Sequence, residues 1–325
     1  MGGAAAEPRV RGFVDRHRSR FWTEVARAVL HYKNSIIPNF LDTPENGLAL
    51  LREALQHDPH NAEAAALLEH HREGRGDYRE WSLGHRWDTA RCRWLLAGRD
   101  APETIVDIHV LVVDRGDRNL LADTIDDLAA QALANWRLTV VSETARPESA
   151  EPIEMIEWAQ VSGQSAVEAI AASVVASAAR WFVCFPAGVR LSPAFTLLAG
   201  LRLRERPDSL LLYLDEDAVD ADGEHAFPRF KPDVNVDFLR SYPYVGAATL
   251  ISRSVMLDPR IAILPVGLPR NYGAALLAIE RTPSAVEHLD EVLVHVPEPL
   301  AAEFQSTELA RLLVEQHLAR CGIAA

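Results

Sequence analysis

The sequence predicts an α/β protein whose mainly parallel sheet is flanked by helices, preceded by a small α-helical region. From Asp107 onward, short apolar runs rich in branched residues alternate with single amphipathic helices. Residues 1 to about 100 show helical spacing without strand patterns. Hydrophobic residues make up 48% of the 325 positions, enough for a sizeable core. Strands joined by single helices run parallel through right-handed crossovers, so we expect ligands at the carboxyl ends of the strands.

The N-terminal region is predicted to form short helices. Phe21, Val25 and Val29 recur at helical spacing, and two further short helices flank a turn at Pro59. The stretch from Ala54 to Ala64 resembles the join between tetratricopeptide-type helices. Two interpretations stay open here: a small helical subdomain, or a repeat array, which needs about three such units.

The two glycines between Glu73 and Asp77 predict a turn and a domain boundary. The predicted organisation is a helical region over residues 1–76, an α/β domain over 77–304 and a C-terminal helix or linker over 305–325.

The alternation after Asp107 predicts the elements in order. Strands are expected at His109–Val113, Trp136–Val141, Ile153–Trp158, Trp181–Phe185, Leu210–Leu214 and Glu291–Val296. Helices are expected at Leu120–Ala132, Ser165–Ala179, Pro193–Arg204, Tyr272–Glu280 and Ser306–Arg320.

Three consecutive acids follow the fifth of these strands. The run from Leu211 changes from apolar residues to Asp215, Glu216 and Asp217, which predicts a buried strand that delivers carboxylates to the sheet edge. Asp215 and Asp217 are therefore candidate metal ligands. The alternative is that these acids are solvated turn residues or a structural partner of Lys231.

Composition excludes several classes of function. The net charge of -13, with dispersed basic residues, argues against nucleic acid as a partner. The three cysteines, Cys92, Cys184 and Cys321, form no zinc or disulfide pattern, and no apolar run is long enough to span a membrane. The histidines, among them His225 and His295, have no spacing that predicts a metal site or a triad. We expect a soluble cytoplasmic protein.

An ordered set of motifs points to a family. These are Ile125–Gln131, Asn135–Leu138, Leu191–Pro193, Tyr213–Asp217, Phe230–Asp233, Asp237–Leu239 and Tyr244–Gly246. Together they resemble family 2 glycosyltransferases of the GT-A fold, in particular the bacterial subgroup that builds O-antigen and other surface polysaccharides. The resemblance covers about residues 78 to 325.

This resemblance implies transfer of a sugar from a nucleotide-sugar donor to a glycan hydroxyl. It also implies a divalent cation, Mn or Mg, against the diphosphate, and carboxylates that orient the nucleotide. Ser142-Glu143 stands where the family has two aspartates, which makes Glu143 a candidate nucleotide ligand. Asp117, together with Asp114 and Arg115 after the first strand, could meet the nucleotide at the same edge.

The sequence departs from the family where the chemistry is expected. Pro186–Val189 aligns with the family's metal motif Asp-Ala-Asp-Asp and offers no side-chain oxygen. Gly273–Leu276, with Ile279, aligns with the acidic stretch and arginine that supply the base and a cation. No residue can therefore be named as the catalytic base.

Two hypotheses of function remain. The first is a working glycosyltransferase with a rearranged active site. The second is a non-catalytic GT-A scaffold, a pseudo-glycosyltransferase without a cofactor, that binds glycan or docks a partner glycosyltransferase. In either case we expect a cytoplasmic location, peripheral at the inner membrane through partners.

Overall fold

The chain divides into two compact units. The computed structural model describes residues 51–52, 54–62, 64–65, 75–97, 106–146, 154–161, 165–220, 223–297, 300 and 308–323. Unit one is Met1–Gly84 and unit two is His85–Ala325. The helix expected around Val25 lies outside the described residues, and the domain ranges drawn from the sequence stay a prediction.

The helix–turn–helix expected around Pro59 is present in the first unit. Helical residues precede Asp58 and resume at position 62, and the side chain of Asn61 accepts a hydrogen bond from the Ala64 amide at 3.0 Å. Such a bond caps the N-terminus of the second helix. Arg75–Asp77, for which neighbouring glycines predicted a turn, instead form the first turn of helix α1 (Arg75–His85).

The second unit follows the expected alternation. Its strands are β1 (Ile108–Val113), β2 (Trp136–Ser142), β3 (Ile156–Gln160), β4 (Trp181–Pro186), β5 (Arg190–Leu191), β6 (Leu211–Val219), β7 (His225–Arg229), β8 (Leu250–Ser252) and β9 (Val286–Pro297). Its helices are α2 (Thr89–Ala97), α3 (Arg118–Ala129), α4 (Ala166–Ala176), α5 (Phe195–Glu205), α6 (Val236–Ser241), α7 (Arg253–Met256), α8 (Pro259–Ala262), α9 (Leu268–Arg281) and α10 (Glu308–Arg320).

The described strands form a sheet of nine, in the order β3-β2-β1-β4-β8-β6-β9-β5, with β7 added to β6. β1 to β4, β6 and β9 run in the same direction, whereas β5, β7 and β8 run antiparallel to their neighbours. An α/β fold with a mainly parallel sheet flanked by helices is thus confirmed. β1 pairs with β2 on one side and β4 on the other, so the chain order reverses there. In open α/β sheets, ligands bind beside such a reversal, at the carboxyl ends of the strands.

One strand boundary is wrong in a way that matters for function. The fifth predicted strand was expected to stop at Leu214, but β6 continues through all three acids to Val219. The strand continues because β7 and β9 pair with its second half on either side and satisfy its backbone groups.

Buried His109 in β1 gives the fold a specific dependence on pH. Its two ring nitrogens lie 2.8 Å from Ser177 Oγ and 2.8 Å from Thr139 Oγ1. Burial lowers the pKa of His109 from the ordinary 6.5 to about 4. Since the unfolded chain takes up this proton at a higher pH than the folded chain, the stabilisation is complete above pH 6.5 and lost as the pH falls towards 4.

We therefore expect acidification from about pH 7.5 to about pH 4.5 to destabilise the wild type by about 2 kcal/mol more than His109→Gln. Urea denaturation of both proteins at the two pH values measures the difference. His85→Gln, at an exposed position, is the control and should keep the dependence of the wild type. If acidification lowers the free energy of unfolding equally in the wild type and in His109→Gln, His109 is not the source of this pH dependence.

Candidate functional site

The three acids of β6 are enclosed rather than presented to solvent. Asp215, Glu216 and Asp217 are only 3%, 1% and 2% exposed. Buried carboxylates need hydrogen bonds or opposite charges in place of water, and each of these acids has a different set of partners. The alternative in which they are solvated turn residues is therefore wrong.

Asp215 is held against His288 and the chain around Lys231. Its Oδ1 accepts a hydrogen bond from the Lys231 amide at 2.8 Å and lies 3.0 Å from His288 Nε2. The other ring nitrogen of His288 lies 3.2 Å from Asp233 Oδ1, and Tyr213 stacks on this ring with centroids 4.8 Å apart. These contacts join β6, β9 and the segment before α6. Asp215 as a metal ligand stays a prediction, and it is in neither group of potential ligands that the described residues form.

Glu216 forms a buried ion pair with Lys231. Glu216 Oε2 lies 3.1 Å from Lys231 Nζ, and Arg229 adds a contact at 3.0 Å. The amide of Ala247 donates to the same carboxylate at 2.9 Å. Burial raises the pKa of Glu216, but Lys231 and Arg229 outweigh it, so the net pKa lies below its usual range. The expected structural role of Lys231 is present, with Glu216 as the ion-pair partner.

Asp217 contacts two histidines. His225 Nδ1 lies 2.8 Å from Asp217 Oδ2, and His295 Nδ1 lies 2.6 Å from Asp217 Oδ1. The two rings meet edge to face with centroids 4.5 Å apart. Burial raises the pKa of Asp217, but hydrogen bonds from both histidines outweigh this effect, and the net pKa is about 2.

The spacing of the histidines in the sequence predicted neither a metal site nor a triad, but the fold brings two of them to one carboxylate. His225 and His295 lie far apart in the chain, and only the pairing of β7 and β9 with β6 brings them together. The one available signal was that each histidine lies in or beside a strand, but the order of strands in the sheet could not be read from that.

The predicted nucleotide ligands lie at the carboxyl ends of β1 and β2. Asp117 caps α3, because its Oδ1 accepts from the Asn119 amide at 2.9 Å, and Glu143 is exposed directly after β2. Between them, buried Asp114 accepts a 2.7 Å hydrogen bond from Ser142 Oγ. The structure thus brings these residues to the edge where a nucleotide was expected. Their role in binding it stays a prediction.

The segment that should hold the cation is apolar and enclosed. Pro186, Ala187, Gly188 and Val189 are all buried. Gly188 has φ +102°, and a Cβ there would lie 3.2 Å from both Leu120 Cδ2 and Leu300 Cδ1. These two leucines therefore cover the place where the family's metal motif aligns. The Mn or Mg ion that the resemblance implies is held by side-chain carboxylates, and this segment has none, so its residues do not fit such an ion.

The matching part of α9 is also apolar and buried. Gly273, Ala274, Ala275, Leu276 and Ile279 all face the core. A Cβ at Gly273 would lie 2.5 Å from Leu264 Cδ1, so the helix packs too closely there to admit a longer side chain. The one arginine buried on this helix, Arg270, is fully enclosed and donates to the carbonyl of Leu264. At these positions α9 supplies neither a base nor a cation to the sheet edge.

The motifs that the sequence shares with the glycosyltransferase family contact one another. Asp127 accepts from Arg190 Nε at 2.7 Å and from the Leu191 amide at 2.9 Å. Gln131 donates to the carbonyl of Ser192 at 2.9 Å. Asn135 donates to the carbonyl of Val106 at 2.8 Å. These contacts join α3 to β5 and to the segment before α5, and Asn135 also donates to the Thr196 carbonyl of α5 at 3.2 Å. The shared residues here therefore hold the fold together.

The second half of the shared motifs behaves in the same way. Tyr213 donates to the carbonyl of Pro232 at 2.5 Å, and the Asn235 amide donates to Tyr244 Oη at 3.2 Å. The retained motifs therefore form a structural network, whereas the positions that should carry the chemistry are apolar.

A protein of known role matches part of this chain. O-antigen biosynthesis protein RfbC of Myxococcus xanthus is 32% identical over 143 residues, 42% of this chain and 11% of that protein. The chain resembles a segment of an O-antigen biosynthesis protein. The uncharacterized protein y4gI of Sinorhizobium fredii (strain NBRC 101917 / NGR234) is 24% identical over 231 residues, 65% of this chain and 25% of that protein. The chain thus spans a quarter or less of the length of these relatives.

Solved structures give weaker matches, and no family model matches the chain. TarS 1–349 of S. aureus has a TM-score of 0.46 at 13% identity, over 66% of this chain and 70% of that one. Glucosyl-3-phosphoglycerate synthase from Mycobacterium tuberculosis, in complex with Mn2+, UDP and glucosyl-3-phosphoglycerate, has a TM-score of 0.42 at 15% identity, over 74% and 86%. No described helix has both the length and the apolar character needed to cross a membrane.

Proposed function

We propose that this chain is a glycosyltransferase-like module of surface-polysaccharide assembly that has kept the scaffold and lost conventional cation-dependent transfer. The observation that supports this most directly is the burial of Pro186–Val189 under Leu120 and Leu300. The match to an O-antigen biosynthesis protein supports a role in surface-polysaccharide assembly.

Loss of the cation removes the main means of stabilising charge on the leaving diphosphate. A single preorganised charge-stabilising group is worth about 3 kcal/mol of activation free energy, and here the metal motif and the base are both replaced by apolar residues. The module would then serve by binding glycan, or by docking a partner glycosyltransferase at the cytoplasmic face of the membrane. Its partners would keep it there.

A second candidate is an active transferase with a rearranged site. It is favoured by the polar edge at Asp114 and Ser142, beside exposed Glu143. In that case Asp117 and Glu143 would hold the nucleotide-sugar, and Asp215 and Asp217 would hold Mn or Mg.

Calorimetry of the full chain with UDP, UDP-sugars and deoxythymidine diphosphate-sugars, with and without manganese, separates the two candidates. We expect no manganese-dependent binding of any nucleotide. Manganese-dependent binding at about micromolar Kd, weakened by Glu143→Gln and Asp117→Asn, would overturn the proposal in favour of the transferase. Arg137→Gln, an exposed change on β2, is the matched control and should bind as the wild type does.

A further inference from the structure

We propose that Asp217, His225 and His295 form a binding site for a first-row divalent transition-metal ion such as Zn2+ or Co2+. The three side chains offer ligand atoms that lie within 4.8 Å of one another. This site differs from the one that the family resemblance implies, at Pro186–Val189. It does not depend on the proposed function, because it rests only on the geometry of these three residues.

The sheet itself brings the three ligands to one face. Asp217 on β6 pairs directly with His295 on β9, and His225 on β7 pairs with Val219, two residues beyond Asp217. Side chains two residues apart on a strand share a face, so His225 and His295 approach Asp217 from the two neighbouring strands. The register of β6 with β7 shifts between Glu216 and Ala218, and Phe227 on β7 has φ +50°. An irregularity of this kind re-aims nearby side chains.

The distances between Asp217 and the two histidines are slightly shorter than those between ligands of one metal ion. The two carboxylate oxygens lie 2.8 Å from His225 Nδ1 and 2.6 Å from His295 Nδ1, which are hydrogen-bond lengths. Ligands about 2.0–2.2 Å from a tetrahedral zinc lie about 3.4 Å apart. Each imidazole would therefore move away from the carboxylate by about 0.7 Å. The ion would take the place of the hydrogen-bonding proton on each Nδ1, and that proton would move to Nε2 of the same ring or be released to water.

Access to the cluster comes from the histidine side. The side chains of His225 and His295 are 12% and 15% exposed, whereas that of Asp217 is fully buried. An ion can enter past the two rings, and water can complete its coordination there. The buried carboxylate supplies the negative charge that a divalent cation needs in an environment of low dielectric constant.

The types of ligand select the ion. Two imidazoles and one carboxylate suit zinc, cobalt, nickel and iron, whereas magnesium and calcium prefer oxygen ligands alone. Loading should also lock β7 onto β6 and β9, because the ion joins residues of all three strands. We therefore expect stabilisation by zinc and none by magnesium.

The other group of potential ligands, Glu280, His317 and Cys321, provides the internal control. His317 is fully buried between Glu280, 2.9 Å from its Nδ1, and Arg240, whose Nε lies 3.1 Å from its Nε2. Arg320 binds the same Glu280 carboxylate. Both ring nitrogens are engaged, and Arg320 and Arg260 already neutralise the carboxylate of Glu280, so a cation there would be repelled.

The test is titration of the full chain, freed of metal by a chelator, with Co2+ and with Zn2+. Visible absorption reports Co2+ in a tetrahedral site, and competition with a chromogenic chelator gives the affinity for Zn2+. We expect one ion per chain, and at least about tenfold weaker binding in Asp217→Asn, His225→Gln and His295→Gln. His317→Gln and Cys321→Ser should bind as tightly as the wild type.

X-ray absorption of the zinc-loaded wild type gives a measurement that needs no variant. Two imidazole ligands and no sulfur are expected. Absence of stoichiometric binding to the wild type would overturn the proposal. So would a sulfur ligand, or binding that survives in all three cluster variants and disappears in Cys321→Ser.

Discussion

Replacing Gly246 with alanine is expected to destabilise the second unit by about 4 kcal/mol. Gly246 has φ +82°, and a Cβ there would lie 2.2 Å from Glu216 Oε2 and 2.2 Å from Lys231 Nζ. The added methyl group would thus meet both members of the buried ion pair at once. Backbone strain at positive φ contributes about 1–2 kcal/mol, and displacement of the pair contributes the larger part. Urea denaturation followed by tryptophan fluorescence measures the loss.

A comparison with Gly116 distinguishes backbone strain from steric conflict. It has φ +94°, but a Cβ there would have no atom within 4 Å. Gly116→Ala should therefore cost only the strain, about 1–2 kcal/mol. If the two variants lose the same stability, the contact with the ion pair is not what requires glycine at position 246.

Gly246 also shows which parts of the fold the sequence could predict. Tyr244–Gly246 was one of the ordered motifs on which the family resemblance was based. The glycine is needed because of a contact across the chain, since a Cβ at Gly246 would meet Glu216 and Lys231. A linear pattern records that such a residue is needed without showing what it touches.

Burial of the acids was harder to predict than the strand that carries them. The change from apolar to acidic residues at Asp215 is typical of a strand that ends at solvent. Here, residues distant in sequence surround the acids: Lys231 for Glu216, and His288 for Asp215. Periodicity describes one segment at a time, so it cannot predict partners that depend on the order of strands in the sheet.

For the segment that aligns with the family's metal motif, the chemistry was easier to predict than the burial. Pro186–Val189 contains no side-chain oxygen, so residue identity alone predicts that this segment forms no conventional site. That Leu120 and Leu300 cover this segment could not be predicted, because Leu300 follows β9 and is more than 100 residues away in the sequence. Chemistry that depends on residue type could be predicted, whereas enclosure by distant residues could not.

Replacing Lys231 with methionine is expected to cost about 3–5 kcal/mol of stability. The substitution preserves most of the apolar side chain but leaves the Glu216 carboxylate, 1% exposed, without its buried counter-ion. Arg229 remains 3.0 Å from Glu216, but its side chain is 38% exposed and water screens its charge. Lys231 also donates to the carbonyls of Leu214 and Val245, so its loss removes a donor from each, although Thr249 still donates to the Val245 carbonyl. The urea midpoint, together with hydrogen exchange at the Ala247 amide, reports the change.

The double variant Glu216→Gln/Lys231→Met decides whether the uncompensated charge is the cause. Removing both charges from a buried pair is usually far less damaging than removing one, so the double variant should recover a large part of the lost stability. Arg311→Met is the surface control. Its partners, Glu308 and Glu315, are exposed, and its denaturation midpoint should match that of the wild type. If the double variant is no more stable than Lys231→Met, the loss comes from packing and carbonyl contacts, and Glu216 tolerates burial without a counter-ion.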